Sequence, residues 1–133
     1  MKKIIFTIIG IIFVLAAGLW FWASHSGKTP QNSDVQTPVT SDIIFFYGQE
    51  CPHCHDVEKF LSDNNINSKV KFDSLEVWHN QANANLMLRK AQECGISQDQ
   101  VGVPFVYSKG KCYIGTPDVE NFFQQAAGMG DGK

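Results

Sequence analysis

Cys51-Pro52-His53-Cys54-His55 gathers more chemically versatile side chains than any other stretch of this 133-residue chain. Two thiols three residues apart can close a disulfide and exchange it with a second molecule, the thiolate being the attacking species. The same five residues spell C-x-x-C-H, the haem attachment pattern of c-type cytochromes. Cys51, His53, Cys54 and His55 are also ligand types for zinc or copper(I). Consecutive helical residues do not face one point, so at most three of the four could converge on a metal. A purely structural Cys51–Cys54 bridge would achieve little, because closing a four-residue ring removes little chain entropy.

Placement narrows these options. The motif comes three residues after the apolar, β-prone run Ile43 to Tyr47, and it opens a helical pattern. A sulfur at a helix N-terminus meets unpaired N–H groups and the positive end of the helix dipole, which favours thiolate over thiol. Cys51 is the outer, exposed end of the motif and is expected to be the nucleophile. Cys54 lies one turn further in, better shielded, and is expected to resolve the mixed disulfide by attacking the Cys51 sulfur. Pro52 in the first turn forfeits no helical hydrogen bond. His53 can bring positive charge or a hydrogen bond near the Cys51 sulfur, whereas Glu50 disfavours a thiolate beside it.

The elements that must hold this motif follow from periodicity. Ile43 to Tyr47, ended by Gly48, reads as a strand buried on both faces. Cys54 to Asn64 has Val57, Phe60 and Leu61 at helical spacing. Val70 to Val77 reads as a second strand, and Asn80 to Cys94 as a helix with Ala84, Met87, Leu88 and Ala91 on one face and Gly95 at its end. Val103 to Tyr107 is a third strand opened by Pro104. Ser108 to Lys111 is a hairpin turn, and Cys112 to Ile114 a fourth strand. Thr116 reads as an N-cap and Pro117 as the first residue of a last helix reaching about Ala127. Phe45, Phe46, Phe60, Phe122 and Phe123 are core candidates. His79 reads as a helix-start residue, and His25 needs no role. The order is β-α-β-α-β-β-α, with a parallel, right-handed first βαβ unit and an antiparallel closing hairpin. A strand-rich order is poor ground for a haem protein, and Met87 and Met129 are unpersuasive axial ligands.

The run FFYGQECPHCHDVEKFL resembles the active-site strand, turn and helix of the thioredoxin superfamily. CPHC is the variant typical of DsbA-type oxidants, while the short domain looks more like glutaredoxin. Gly102-Val103-Pro104 resembles the family's loop with a cis-proline facing the cysteine pair, and Gly110 and Gly115 fit the hairpin that follows it. The resemblance spans Ile43 to Ala127 and implies a thioredoxin-like three-layer α/β sandwich. It further implies a thiol–disulfide oxidoreductase acting on protein thiols and disulfides, without a cofactor or metal. Oxidant is the favoured direction, and the Val103 backbone would pair with an extended substrate segment. Two family features are absent: Phe45 stands where thioredoxins carry a buried acid, and no tryptophan precedes the motif. Both departures point to the glutaredoxin-like or oxidant branch.

Cys94 and Cys112 fall where the second helix ends and the last hairpin turns, so they could meet. A structural disulfide, two free thiols and a second redox pair are the three readings open to them.

The N-terminal part decides the compartment. Ile4 to Trp22 carries no charge over 19 residues, about 28 Å of helix and close to the bilayer core. Lys2 and Lys3 before it and Trp20, Phe21 and Trp22 at its end predict an anchor over 1–22 with a cytoplasmic N-terminus. A cleaved signal peptide is the alternative, with Ser24-His25-Ser26 as a small-x-small site. Either places the domain outside the cytoplasm, in a periplasm or at the cell surface, where disulfides persist. Residues 23–41 are polar and read as a flexible linker of about 24 Å r.m.s. span. The domain is expected over 42–127, with a frayed tail over 128–133. A net charge of −2 offers no basic face for nucleic acid. The expected partners are protein substrates, the membrane and a membrane-bound or soluble redox protein.

Overall fold

The computed structural model describes residues 37–130. The expected anchor over 1–22, most of the linker and the last three residues lie outside that range. No helix of the described residues is long and apolar enough to cross a membrane.

Ile43–Tyr47 forms β1, whose middle three residues are buried. A continuous apolar run can be covered on both sides only in the middle of a sheet. β1 accordingly pairs in parallel with β2 (Asp73–Glu76) and antiparallel with β3 (Phe105–Ser108), and β3 pairs antiparallel with β4 (Lys111–Ile114). The strand order is β2-β1-β3-β4. Three helices complete the expected order: α1 (Pro52–Asp63), α2 (Gln81–Glu93) and α3 (Thr116–Ala126).

Alternation along β1 sends neighbouring side chains to opposite faces. Ile44 and Phe46 pack with Leu75, Phe105 and the α2 residues Leu86, Met87 and Ala91. Phe45 packs on the other face with Val57 and Leu61 of α1 and Val119 and Phe123 of α3. Two hydrophobic clusters on either side of one mixed sheet make a three-layer, thioredoxin-like α/β sandwich.

Several boundaries differ from the sequence reading, each for a local reason. β2 is shorter than Val70 to Val77, because the Val70 N–H is taken by the Ile66 carbonyl in a short 3-10 turn. β3 opens at Phe105, since Pro104 has no N–H to offer a ladder. Gly115, at φ 85°, is the N-cap of α3, so Thr116 is its first residue and not the cap. The tail does not fray at Gly128. Gly128, at φ 68°, and Met129 donate to the Gln125 and Gln124 carbonyls in a Schellman closure, and Met129 packs on the core. Gly95 and Ile96 close α2 in the same way. The end of the expected linker is likewise held: the N–H groups of Thr40 and Ser41 donate to Asp73 Oδ2 at 2.6 and 2.7 Å. Lys109 and Gly110, both at positive φ, form the two-residue hairpin turn. Beside that turn, Cys94 and Cys112 are joined by a disulfide, with Cα atoms 6.1 Å apart.

Candidate active site

Strand directions bring four segments to one end of the sheet: the turn after β1, the loop after β2, the residues before β3 and those after β4. The pairings Tyr47–Glu76, Phe46–Phe105 and Phe105–Ile114 fix this.

Cys51 is the N-cap of α1 in extended backbone geometry, and its Sγ accepts the Cys54 N–H at 3.3 Å. A sulfur therefore takes the place that a Ser or Asp oxygen fills at ordinary N-caps. Its thiol also donates to the Val103 carbonyl oxygen at 3.9 Å, and the Val103–Pro104 bond is cis, the isomer the resemblance implies. The sequence reading had Cys51 exposed. It is only 4 % exposed, against 0 % for Cys54, because the Val103–Pro104 segment covers it.

Cys54 joins Val57 and Leu61 in the buried stripe of α1. Burial pushes its thiol up to about 12, helped by the hydrogen bond with the Cys51 side chain and the negative charges of Cys51 and Glu58; only the Gly48 backbone opposes. Cys54 is thus a neutral thiol at physiological pH, and both cysteines are free.

The polar neighbours are arranged differently from expectation. The His53 ring is exposed, stands 3.9 Å from Asp56 Oδ2 and bonds to neither sulfur. Its backbone carbonyl accepts the Thr116 hydroxyl at 3.3 Å, which docks α1 on the start of α3. Glu50 is turned away from Cys51: its carboxylate holds His79 Nε2 at 2.8 and 3.0 Å. That bond and the Glu50 charge raise the His79 pKa, so His79 does more than start a helix. Pro52 is the exposed first residue of α1.

Sequence reasoning missed two residues altogether. Glu76, closing β2, accepts the N–H groups of Trp78, His79 and Gln49 at 2.7, 2.9 and 3.4 Å. Burial pushes its carboxyl up, but those donors outweigh burial and hold it below the usual range. Trp78 lays its ring on Gly48, where an added Cβ would sit 2.4 Å from ring carbons. The ring is still half exposed. A glycine straight after a buried strand was the one available signal for that close approach.

The metal and haem readings find no convergent set. His55 Nε2 bonds to the Gln49 carbonyl at 2.8 Å, and His53 faces Asp56. Among the described residues, no three His, Cys, Asp or Glu side chains are placed to hold a metal. An open cleft of about 400 Å³, lined by His53 and Asp56 of α1 together with Val103, Pro104, Gly115, Thr116 and Pro117, lies next to the Val103 carbonyl that Cys51 contacts.

No family model matches the chain, and no curated protein does. Among solved structures it is similar to wheat glutaredoxin at 20 % identity and a TM-score of 0.45, over 65 % of this chain and 82 % of that one. A buckwheat glutaredoxin–glutathione complex follows at 17 % and 0.44, over 65 % and 71 %. A mutated buckwheat glutaredoxin gives 14 % and 0.43, over 65 % and 80 %.

Proposed function

We propose that this protein is a thiol–disulfide oxidoreductase acting on protein substrates through Cys51 and Cys54. The observation that carries the reading is the unequal pair at one helix N-terminus: a Cys51 sulfur supplied with the Cys54 N–H at 3.3 Å, and a buried Cys54 thiol pushed up to about 12. The first is fitted to bear negative charge. The second stays protonated until it is needed.

In the reducing direction, the Cys51 thiolate attacks one sulfur of a substrate disulfide. The substrate S–S bond breaks, a Cys51–substrate bond forms, and the departing thiolate takes up a proton. Cys54 then gives up its proton and attacks the Cys51 sulfur. That releases the second substrate thiolate and leaves Cys51–Cys54 oxidised, with two electrons passed to the substrate. Oxidation of a substrate dithiol is the same sequence reversed. We read the favoured direction as oxidation, because a stabilised Cys51 thiolate lowers the energy of the reduced form. Val103, whose carbonyl faces Cys51, supplies the backbone edge for an extended substrate segment, with Pro104 beside it. The uncharged segment Ile4 to Trp22 behind Lys2 and Lys3 supports a membrane tether with the domain outside the cytoplasm. There a membrane-bound or soluble redox partner would recharge it.

The test is trapping. Cys51→Ser is expected to abolish exchange, and Cys54→Ser to accumulate mixed disulfides on Cys51. If Cys54 of the reduced protein is alkylated before Cys51, the roles are reversed.

A further inference from the structure

The sheet end that carries Cys51 has carboxylates and histidines but no Lys or Arg in the segments that build it. These segments are 45–58, 73–80, 101–108 and 112–127. They contribute seven carboxylates instead, among them Glu50, Asp56, Glu58, Asp118 and Glu120, and three histidines, His53, His55 and His79. Three of the basic residues elsewhere are paired locally: Lys59 with Asp63, Lys90 with Glu93 and Lys109 with Asp42.

The charges are not spread evenly around the thiol. Glu50 is engaged with His79, whereas Asp56 forms part of the cleft wall, its side chain 67 % exposed, with His53 at 3.9 Å as its ion-pair partner. Across the α1–α3 junction, burial and the Asp56 charge both push the Glu120 carboxyl up, which places the two acids within each other's field. The rest of the lining is mostly apolar, made by Val103, Pro104, Gly115, Thr116 and Pro117. A cleft that joins an apolar backbone edge to an exposed carboxylate, with only a histidine beside it, suits a chain that lies flat and carries a cation.

We propose that Asp56 makes this cleft selective for cationic polypeptide: a segment with Lys or Arg beside its reacting cysteine, in preference to an anionic thiol. This rests on the exchange reading above and specifies its substrate class. A substrate cysteine that reaches the Cys51 sulfur past Val103 leaves its neighbouring side chains over the cleft. A cation there meets Asp56, with Glu120 near it. An anionic neighbour meets the same carboxylates without any Lys or Arg to receive it. Each exposed contact of this kind is worth on the order of threefold in affinity or encounter rate at low salt, so reversing the peptide's charge, which swaps an attraction for a repulsion, should change the rate about tenfold.

The experiment follows reaction of the full-length oxidised protein with three five-residue thiol peptides whose cysteine is flanked by Lys, Ser or Glu. Each rate is divided by that peptide's rate with hydroxyethyl disulfide, which removes the effect of the flanks on the peptide thiol itself. The expected normalised order is Lys, Ser, Glu, with the ends about tenfold apart at about 50 mM salt. Reduced glutathione should fall near the Glu peptide. The spread should shrink to about twofold at 0.5 M salt, where screening is nearly complete. Asp56→Asn should narrow the spread, and Asp56→Lys should invert it. Equal normalised rates, or a spread untouched by Asp56→Lys, overturn the proposal and leave exchange chemistry standing. If none of the three peptides reacts, the exchange reading fails and this proposal falls with it.

Discussion

Cys51 and Cys54 are the same residue type three positions apart, yet the fold gives them different surroundings, Cys51 as the N-cap of α1 and Cys54 in its buried stripe. Next to the motif, Glu50 holds His79. The His79 pKa is raised above the ordinary 6.5, first by the hydrogen bond to Glu50 and then by the Glu50 charge. A group whose pKa rises on folding stabilises the fold fully below its unfolded value, and the contribution disappears as pH climbs through the folded value. The His79–Glu50 contribution should therefore be complete below about pH 6.5 and lost above it. Urea midpoints of the wild type and Glu50→Gln should converge as pH rises from 6 to 8.5, and parallel curves would contradict this. Glu76 has the reverse sign. Its lowered carboxyl contributes above about 4.5 and loses that contribution as pH falls through the folded value. Gly48 is the steric counterpart. Gly48→Ala would drive a methyl group into the Trp78 ring and should destabilise the protein by about 1–3 kcal/mol. In a Trp78→Ala background the same change should cost markedly less, since the obstructing ring is gone, and a double-mutant cycle reads the difference directly.

Between elements, the Cys94–Cys112 disulfide clamps the end of α2 to β4 at the sheet end away from Cys51. It closes a loop of 18 residues, and the chain-entropy account gives about 3 kcal/mol for that length. Cys94→Ala with Cys112→Ala should lower the melting temperature by on the order of 15 °C, yet leave exchange at Cys51 unchanged below the new midpoint. A loss of exchange in that folded variant would mean the second pair takes part in the electron path. Sequence could foresee this meeting because strand and helix order fix which ends coincide. Element order, the parallel β1–α1–β2 unit and the burial of Cys54 were legible for the same reason, since each depends on periodicity within a few residues. The directions of Glu50, His53 and His79 were not legible. Glu50 finds His79 across 29 positions, and nothing in either local stretch announces the other. The start of α3 was misread for a local reason. Thr116 is a good N-cap by type, but Gly115 takes the positive φ that the entry requires. The exposure of Cys51 was misread because the covering segment, Val103–Pro104, arrives from 52 residues downstream.

For the molecule as a whole, redox direction and stability are two sides of one thermodynamic cycle. The unfolded chain has a potential for Cys51–Cys54 with no help from the fold. Any contact that favours the folded dithiol raises the folded potential above that reference and stabilises the reduced protein against unfolding by the same free energy. The Cys54 N–H on the Cys51 sulfur and the helix N-terminus around it both act on the reduced form. The nearby Glu58 acts against a thiolate at Cys54, and burial keeps that second sulfur protonated. The arrangement thus makes the two sulfurs of the dithiol unequal, with the backbone N–H contact at Cys51 and the buried thiol at Cys54. For a two-electron couple, about 60 mV of bias toward the folded dithiol corresponds to about 2.8 kcal/mol, which a domain of this size shows as roughly 10–20 °C in melting temperature. The measurement needs the second disulfide removed, so the Cys94→Ala, Cys112→Ala variant is melted with Cys51–Cys54 either reduced or oxidised. The reduced form should melt higher, and a glutathione equilibrium on the same variant should return the matching potential. If the oxidised form melts higher, the fold favours the disulfide. The protein then passes electrons to its substrates, and the N–H at Cys51 serves reactivity and not oxidising power.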